Sequence, residues 1–134
     1  MLPFFQIGGN RMTINEAVSR IDDLMRNAYT TENKIAWLSR VDNMIKAHII
    51  DKHEGNENVS FSGYSPNVDR STELIAHAPF DEMYPLFLEA QIHYYNGEYD
   101  KYNNAIVNFQ MEYDKYAAWY TCHHTPLSKG RFLF

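Results

Sequence analysis

The sequence predicts a mainly α fold: a single-domain bundle of about four helices, with a long loop between helices two and three that has room for a short β-hairpin. Three observations carry this. The chain has 134 residues, a length that rarely splits into two cores. Four segments place apolar residues at helical spacing. Between them lie capping and turn signals, in a chain with only 6 Gly and 5 Pro. Composition agrees, since 45% of residues are hydrophobic and 15% aromatic, with 10 Tyr and 8 Phe to fill a core. Cys122 is the sole cysteine; it excludes an internal disulfide and fits a reducing compartment. No apolar run approaches the ~20 residues of a membrane span.

Residues 1–11, MLPFFQIGGNR, have no period and one charge. They lack the basic start and full apolar stretch of a secretory signal. Gly8-Gly9-Asn10-Arg11 is a string that a purine-rich, ribosome-binding-like run can encode. The segment therefore reads either as a translated leader ahead of a true start at Met12 or as a native but loose arm. Folded sequence is expected over 12–126, with a tail at 127–134.

Helix one is expected over about 14–27. Thr13 and Glu16 form a capping-box pair, and Ile14, Ala17, Val18, Ile21, Leu24, Met25 and Ala28 recur at helical spacing. Thr30 or Thr31 caps helix two, which should run from Glu32 to His53 and stop at Gly55. Its apolar arc holds Ile35, Trp37, Leu38, Val41, Met44, Ile45 and Ile49, with Asp42 expected at the edge, paired with Lys34 or Arg20. The stretch 55–70, GNENVSFSGYSPNVDR, is Asn-, Ser- and Gly-rich yet aromatic. Loops this long are usually functional or disordered. Within it Val59-Ser60-Phe61-Ser62 alternates like a strand, with Leu74-Ile75 its expected partner.

Pro79-Phe80-Asp81-Glu82 opens helix three and Asn96-Gly97 closes it. Apolar side chains surround most of that cylinder, so it should be central, with Pro85 costing one backbone bond and bending the first turns. Helix four should span about 99–121. One face carries Tyr99, Tyr102, Ala105, Ile106, Phe109, Tyr113, Tyr116, Ala117 and Tyr120. A second, narrower stripe of Val107, Met111, Ala118 and Cys122 lies opposite. Such a helix is either sandwiched in its own domain or buried against another subunit, and with only four helices the stripe is assigned to a contact between subunits.

The net charge is −5, from 12 Lys+Arg against 17 Asp+Glu, with an isoelectric point near 5.6. That is a poor footprint for gripping nucleic acid by phosphate neutralisation. Catalytic and metal signatures are missing. The six His show no HExxH-like spacing, and Cys122-His123-His124 lacks the second ligand doublet of structural zinc sites. There is no phosphate loop and no nucleophile elbow. The chain is therefore expected not to be an enzyme and to need no cofactor or metal.

Several strings are similar to those of a known family: Asn33-Lys34-Ile35-Ala36-Trp37-Leu38-Ser39-Arg40-Val41-Asp42, Ala78-Pro79-Phe80-Asp81-Glu82-Met83-Tyr84, and Ala90-Gln91-Ile92-His93-Tyr94-Tyr95-Asn96-Gly97-Glu98. Lys101-Tyr102-Asn103-Asn104 and Trp119-Tyr120 followed by His124 and Pro126 belong with them. They resemble the head–tail connector (head-completion adaptor) proteins of tailed bacteriophages and prophages over about 12–126. Pro85 departs from the aliphatic or aromatic residue expected there. The resemblance implies a structural protein made in the bacterial cytoplasm and assembled in the virion neck. There it would form a homo-oligomeric ring between the portal protein and the next neck or tail protein, with DNA passing through the channel unbound.

On that reading Phe61, Tyr64, Arg131, Phe132 and Phe134 are candidate partner-docking residues, and deleting 127–134 should spare the fold but abolish neck assembly. Two other readings stand beside it. One is a free-standing helical interaction or regulatory module of prophage origin. The other is an enzyme or metal protein using His93 with Glu89, or the Cys122–His124 cluster.

Overall fold

A computed structural model describes residues 10–56 and 60–127. Within them a short strand β1 (Arg11–Thr13) leads into helix α1 (Ile14–Leu24). Helix α2 (Thr31–His48), strand β2 (Glu73–His77), α3 (Met83–Tyr95) and α4 (Tyr99–His123) follow. The mainly α, single-domain expectation holds, with four α-helices and one two-stranded antiparallel sheet among the described residues.

Helix α1 begins as its sequence dictates. Thr13 accepts from the Glu16 amide at 3.1 Å and Glu16 returns a contact to the Thr13 amide at 2.8 Å, so two donors at the helix start are satisfied. The next two, Ile14 and Asn15, donate to the Thr72 and Arg70 carbonyls, each at 2.9 Å. Ile14, Ala17, Val18 and Ile21 are buried. The expected stripe ends there: the helix stops at Leu24, and Leu24 and Ala28 are exposed.

Helix α2 is capped by Thr30, which accepts from Asn33 at 3.1 Å. It gives way earlier than expected, to a 3-10 turn at Ile50–Lys52, before Gly55 (φ +92°) ends the run. Helix α3 is entered through a 3-10 turn at Phe80–Glu82. Pro85 therefore sits in the first turn of α3, where a missing N–H costs least. Met83, Tyr84, Phe87, Leu88 and Ile92 on it are buried, which makes α3 the central helix. After Gly97 (φ +78°) the chain reverses into α4, which packs along α3.

The sheet departs from expectation. Leu74 and Ile75 do lie in a strand, but its partner is β1, with Arg11 opposite His77 and Thr13 opposite Glu73. Asn10 adds a bond, accepting from the Ala78 amide at 2.7 Å, so ordered pairing begins ahead of Met12. No strand forms over the described residues 60–62. That stretch is held against the side of α2 instead, because its Tyr64 amide donates to Ser39 Oγ at 2.9 Å. Gly63 (φ +102°) is required there: a Cβ would collide with Ser39 Oγ, and the backbone is left-handed. Residues 1–9 and Val59 lie outside the described residues.

Candidate functional site

Two features of the molecule break the usual sorting of polar inside-out, and both sit on helices read from the sequence. The first is internal. Asp42 is 0% exposed. It occupies the middle of the α2 stripe, between Leu38 and Ile45, and not its edge. Lys34 and Arg20 are engaged elsewhere, Lys34 with Asp22 and Arg20 with Glu82, each at 2.6 Å. Asp42 is met by three donors from three elements. The Tyr84 hydroxyl on α3 reaches it at 2.6 Å, the Ile75 amide on β2 at 3.2 Å, and the Tyr64 hydroxyl closes the set from the loop. Tyr84 in turn accepts from the Ala76 amide at 2.7 Å.

Burial pushes the Asp42 carboxyl up to about 6, against the pull of the two tyrosine hydroxyls and the Ile75 amide. It raises both tyrosines as well, with the Asp42 charge adding to the effect. The carboxyl is fully enclosed, and its three donors form part of the enclosure. Chemically it is a tie joining α2, β2, α3 and the loop. Sequence reasoning missed it, although Ile35, Leu38, Asp42, Ile45 and Ile49 form one uninterrupted helical stripe, which is the signal that would have found it.

The second feature is external. On α4 the inner face delivers Ala105, Phe109, Tyr116 and Tyr120 to the core. The outer stripe is left in the open, with Val107 56% and Met111 53% exposed and Ala118 and Cys122 exposed beside the same line. All four expected interface residues are thus outside the chain's own core. The docking set behaves differently. Phe61 and Tyr64 pack edge-to-face at 5.1 Å against the core, and the Tyr64 hydroxyl is taken by Asp42. These rings are engaged within their own chain and do not project as free anchors. Arg131, Phe132 and Phe134 lie outside the described residues.

Four of the six histidines make local contacts. Nδ1 of His53, His123 and His124 faces the carbonyl oxygens of Ile49, Trp119 and Tyr120 at 2.6, 2.8 and 3.0 Å. A carbonyl only accepts, so each Nδ1 carries the hydrogen. His53 Nε2 is buried with no hydrogen-bond partner among the described residues. His93 lies 2.8 Å from Glu98 and 3.5 Å from Glu89. No group of three or more His, Cys, Asp or Glu among the described residues is arranged to hold a metal ion. No helix there is long and apolar enough to cross a membrane.

At the turn between α3 and α4, Tyr94, Tyr95 and Tyr99 are exposed. Tyr95 stacks on Trp37 at 5.7 Å, and Tyr94 contacts Tyr99 and Tyr102 at 5.8 and 5.4 Å. No protein-family model, curated protein or solved structure matches this chain.

Proposed function

We propose that the protein is a structural connector of the bacteriophage neck: identical copies form a ring between the portal and the next neck or tail protein and extend the DNA channel. The observation that carries this is the outer stripe of α4. Val107 and Met111 are more than half exposed, in line with Ala118 and Cys122, on a 25-residue helix whose opposite face is buried. Two medium-sized apolar side chains and two small ones give a shallow strip suited to a neighbouring protein, too flat to enclose a small reagent. A ring needs heterologous contacts whose rotation closes, so the strip meets a different surface of the next copy. The net charge of −5 supports a channel wall that lets phosphate backbone slide past. The family resemblance at α2, α3 and α4 points the same way.

The test is electron microscopy of the chain mixed with its cognate portal protein. Rings on the portal are expected from the wild type and not from Val107→Asp/Met111→Asp. Portals decorated by the double variant as well as by the wild type would refute the assignment of the stripe. A portal left bare by the wild type would refute the connector role.

A second reading, the free-standing interaction module, has its own observation. Arg40, Gln91, Tyr94, Tyr95 and Tyr102 line an open cleft of about 300 Å³ at the α3–α4 turn, a mixed aromatic and cationic surface of the kind that holds a partner's peptide. A discrete one-to-one partner lost on Tyr95→Ala, with no ring on any portal, would favour it.

A further inference from the structure

We infer that the cleft between α2, α3 and the start of α4 binds an acidic side chain of a partner peptide. Arg40 and Gln91 take the carboxylate, and the tyrosine rings take an apolar or aromatic neighbour of it. This deepens the second reading above, whose surface it is, and takes nothing from the ring.

Helical spacing assembles the cleft. Arg40 projects from α2, Gln91, Tyr94 and Tyr95 stand at i, i+3 and i+4 on α3, and Tyr102 comes from the first turn of α4. The cation is held in place. Its guanidinium lies 5.5 Å from the centre of the Phe87 ring and donates to Gln91 Oε1 at 3.4 Å, and no carboxylate among the described residues pairs with it. Glu98, at the same turn, faces His93 at 2.8 Å and Lys101 at 3.8 Å instead.

Gln91 is the second sign. It is 5% exposed yet lines the cleft, and its side chain makes one hydrogen bond among the described residues, the one its oxygen accepts from Arg40. A guanidinium cannot accept, so the amide oxygen is spent and Nε2 is left as a donor to a guest. The hydroxyls of Tyr94, Tyr95 and Tyr102 have no hydrogen-bond partner among the described residues either. One cation, one amide donor and three hydroxyls, with no acid among them, complement an anion. A single positive charge suits a carboxylate, whereas a phosphate group carries about −1.5 to −2 and calls for more.

The rings beside it are set in advance. Tyr95 stacks on Trp37 with an interplanar angle of 8°, and Tyr94 meets Tyr95 edge-on at 5.1 Å and Tyr102 at 5.4 Å. Fixed tyrosines next to an arginine make a binding hot spot at small ordering cost. The cleft is too open to enclose a small free acid, but a peptide with residues on both sides of the carboxylate covers the exposed rings as well. The source is a side chain and not a chain end. Terminal carboxylates are captured by backbone amides, and the amides here are committed to helix hydrogen bonds.

The experiment titrates the nitrogen-15-labelled full chain with the capped pentapeptide Ala-Phe-Glu-Phe-Ala and with its counterpart carrying Gln for Glu. NMR follows the Gln91 side-chain amide and the Arg40 Nε–H. The acidic peptide is expected to shift both signals and to bind roughly fivefold tighter than the neutral one. Arg40→Met, which keeps an apolar stem over Phe87, should bind the two peptides alike, and Arg40→Lys should regain part of the preference. Tyr95→Ala should weaken both peptides roughly fivefold and leave the preference intact. No binding by either peptide, shifts confined to other residues, or inorganic phosphate binding more tightly than the acidic peptide overturns the inference. Equal binding of the two peptides at this cleft sinks the carboxylate recognition and leaves the interaction module standing. Charge-selective binding by a chain that also forms rings on the portal does the reverse.

Discussion

Asp42 and the outer stripe of α4 are opposite exceptions to one rule, and they differ in what their neighbours do about it. Asp42 is a charge-bearing group placed in the middle of an apolar stripe, and three elements converge to hydrogen-bond it. Val107 and Met111 are apolar groups placed outside, and among the described residues both stay more than half exposed. A misplaced polar group that is fully satisfied specifies how the elements of one molecule meet. A misplaced apolar strip left open points to another molecule. The first feature concerns the fold and, on the proposed reading, the second concerns assembly, so substitutions should separate them cleanly.

The largest effect on stability is expected at the inner feature. Asp42→Ala leaves Tyr64, Tyr84 and the Ile75 amide without their acceptor and should destabilise by about 3–5 kcal/mol in urea unfolding. A cost under about 1 kcal/mol would mean that the tie contributes nothing net.

The pH profile sharpens the same point. The folded carboxyl titrates at about 6, above its ordinary 3.8, so the native state holds this proton more tightly than the unfolded chain. Its contribution is therefore full below about pH 4 and is lost as pH rises through 6, a decline of about 3 kcal/mol at most. Asp42→Asn should flatten that decline, and an identical slope in the variant would assign it to other groups.

Tyr84→Phe removes a donor to Asp42 and an acceptor for the Ala76 amide, at a cost of about 2 kcal/mol. Gly63→Ala forces a left-handed residue against Ser39 and should cost about 1–2 kcal/mol by the same unfolding measurement. The smallest effect is expected outside. Val107→Asp/Met111→Asp should shift stability by no more than about 0.5 kcal/mol while removing self-association, measured by sedimentation of the same samples. Loss of both together would place the stripe in the fold rather than in an interface.

Much of the architecture was legible along the chain. The Thr13–Glu16 box, the Thr30 cap and the Asn96-Gly97 stop are local hydrogen-bond chemistry, and each holds. The inner and outer faces of α4 follow from helical phase alone. The strand pairing did not follow, because alternation over 59–62 says only that a segment suits an extended form. Whether it finds an edge depends on what already occupies one: β1 takes one edge of β2, and the Ile75 and Ala76 amides donate to the Asp42 and Tyr84 side chains. The Tyr64–Asp42 contact failed to follow for a related reason, since an aromatic residue in a polar loop looks free until the carboxylate facing it is known.

What this sequence determined by itself is whatever neighbours a few residues apart can settle: four helices, the caps that start the first two, the stop that ends the third, and which faces carry apolar side chains. The tertiary structure alone decided which distant groups share a site. It brought Asp42, Tyr64, Ile75 and Tyr84 to one point, put Leu24 and Leu86 on the walls of one groove, and left Val107 and Met111 uncovered. The reason is physical. Caps and periodicity act within a turn or two of the chain, whereas burial and hydrogen-bond satisfaction are properties of a volume filled by residues far apart in sequence.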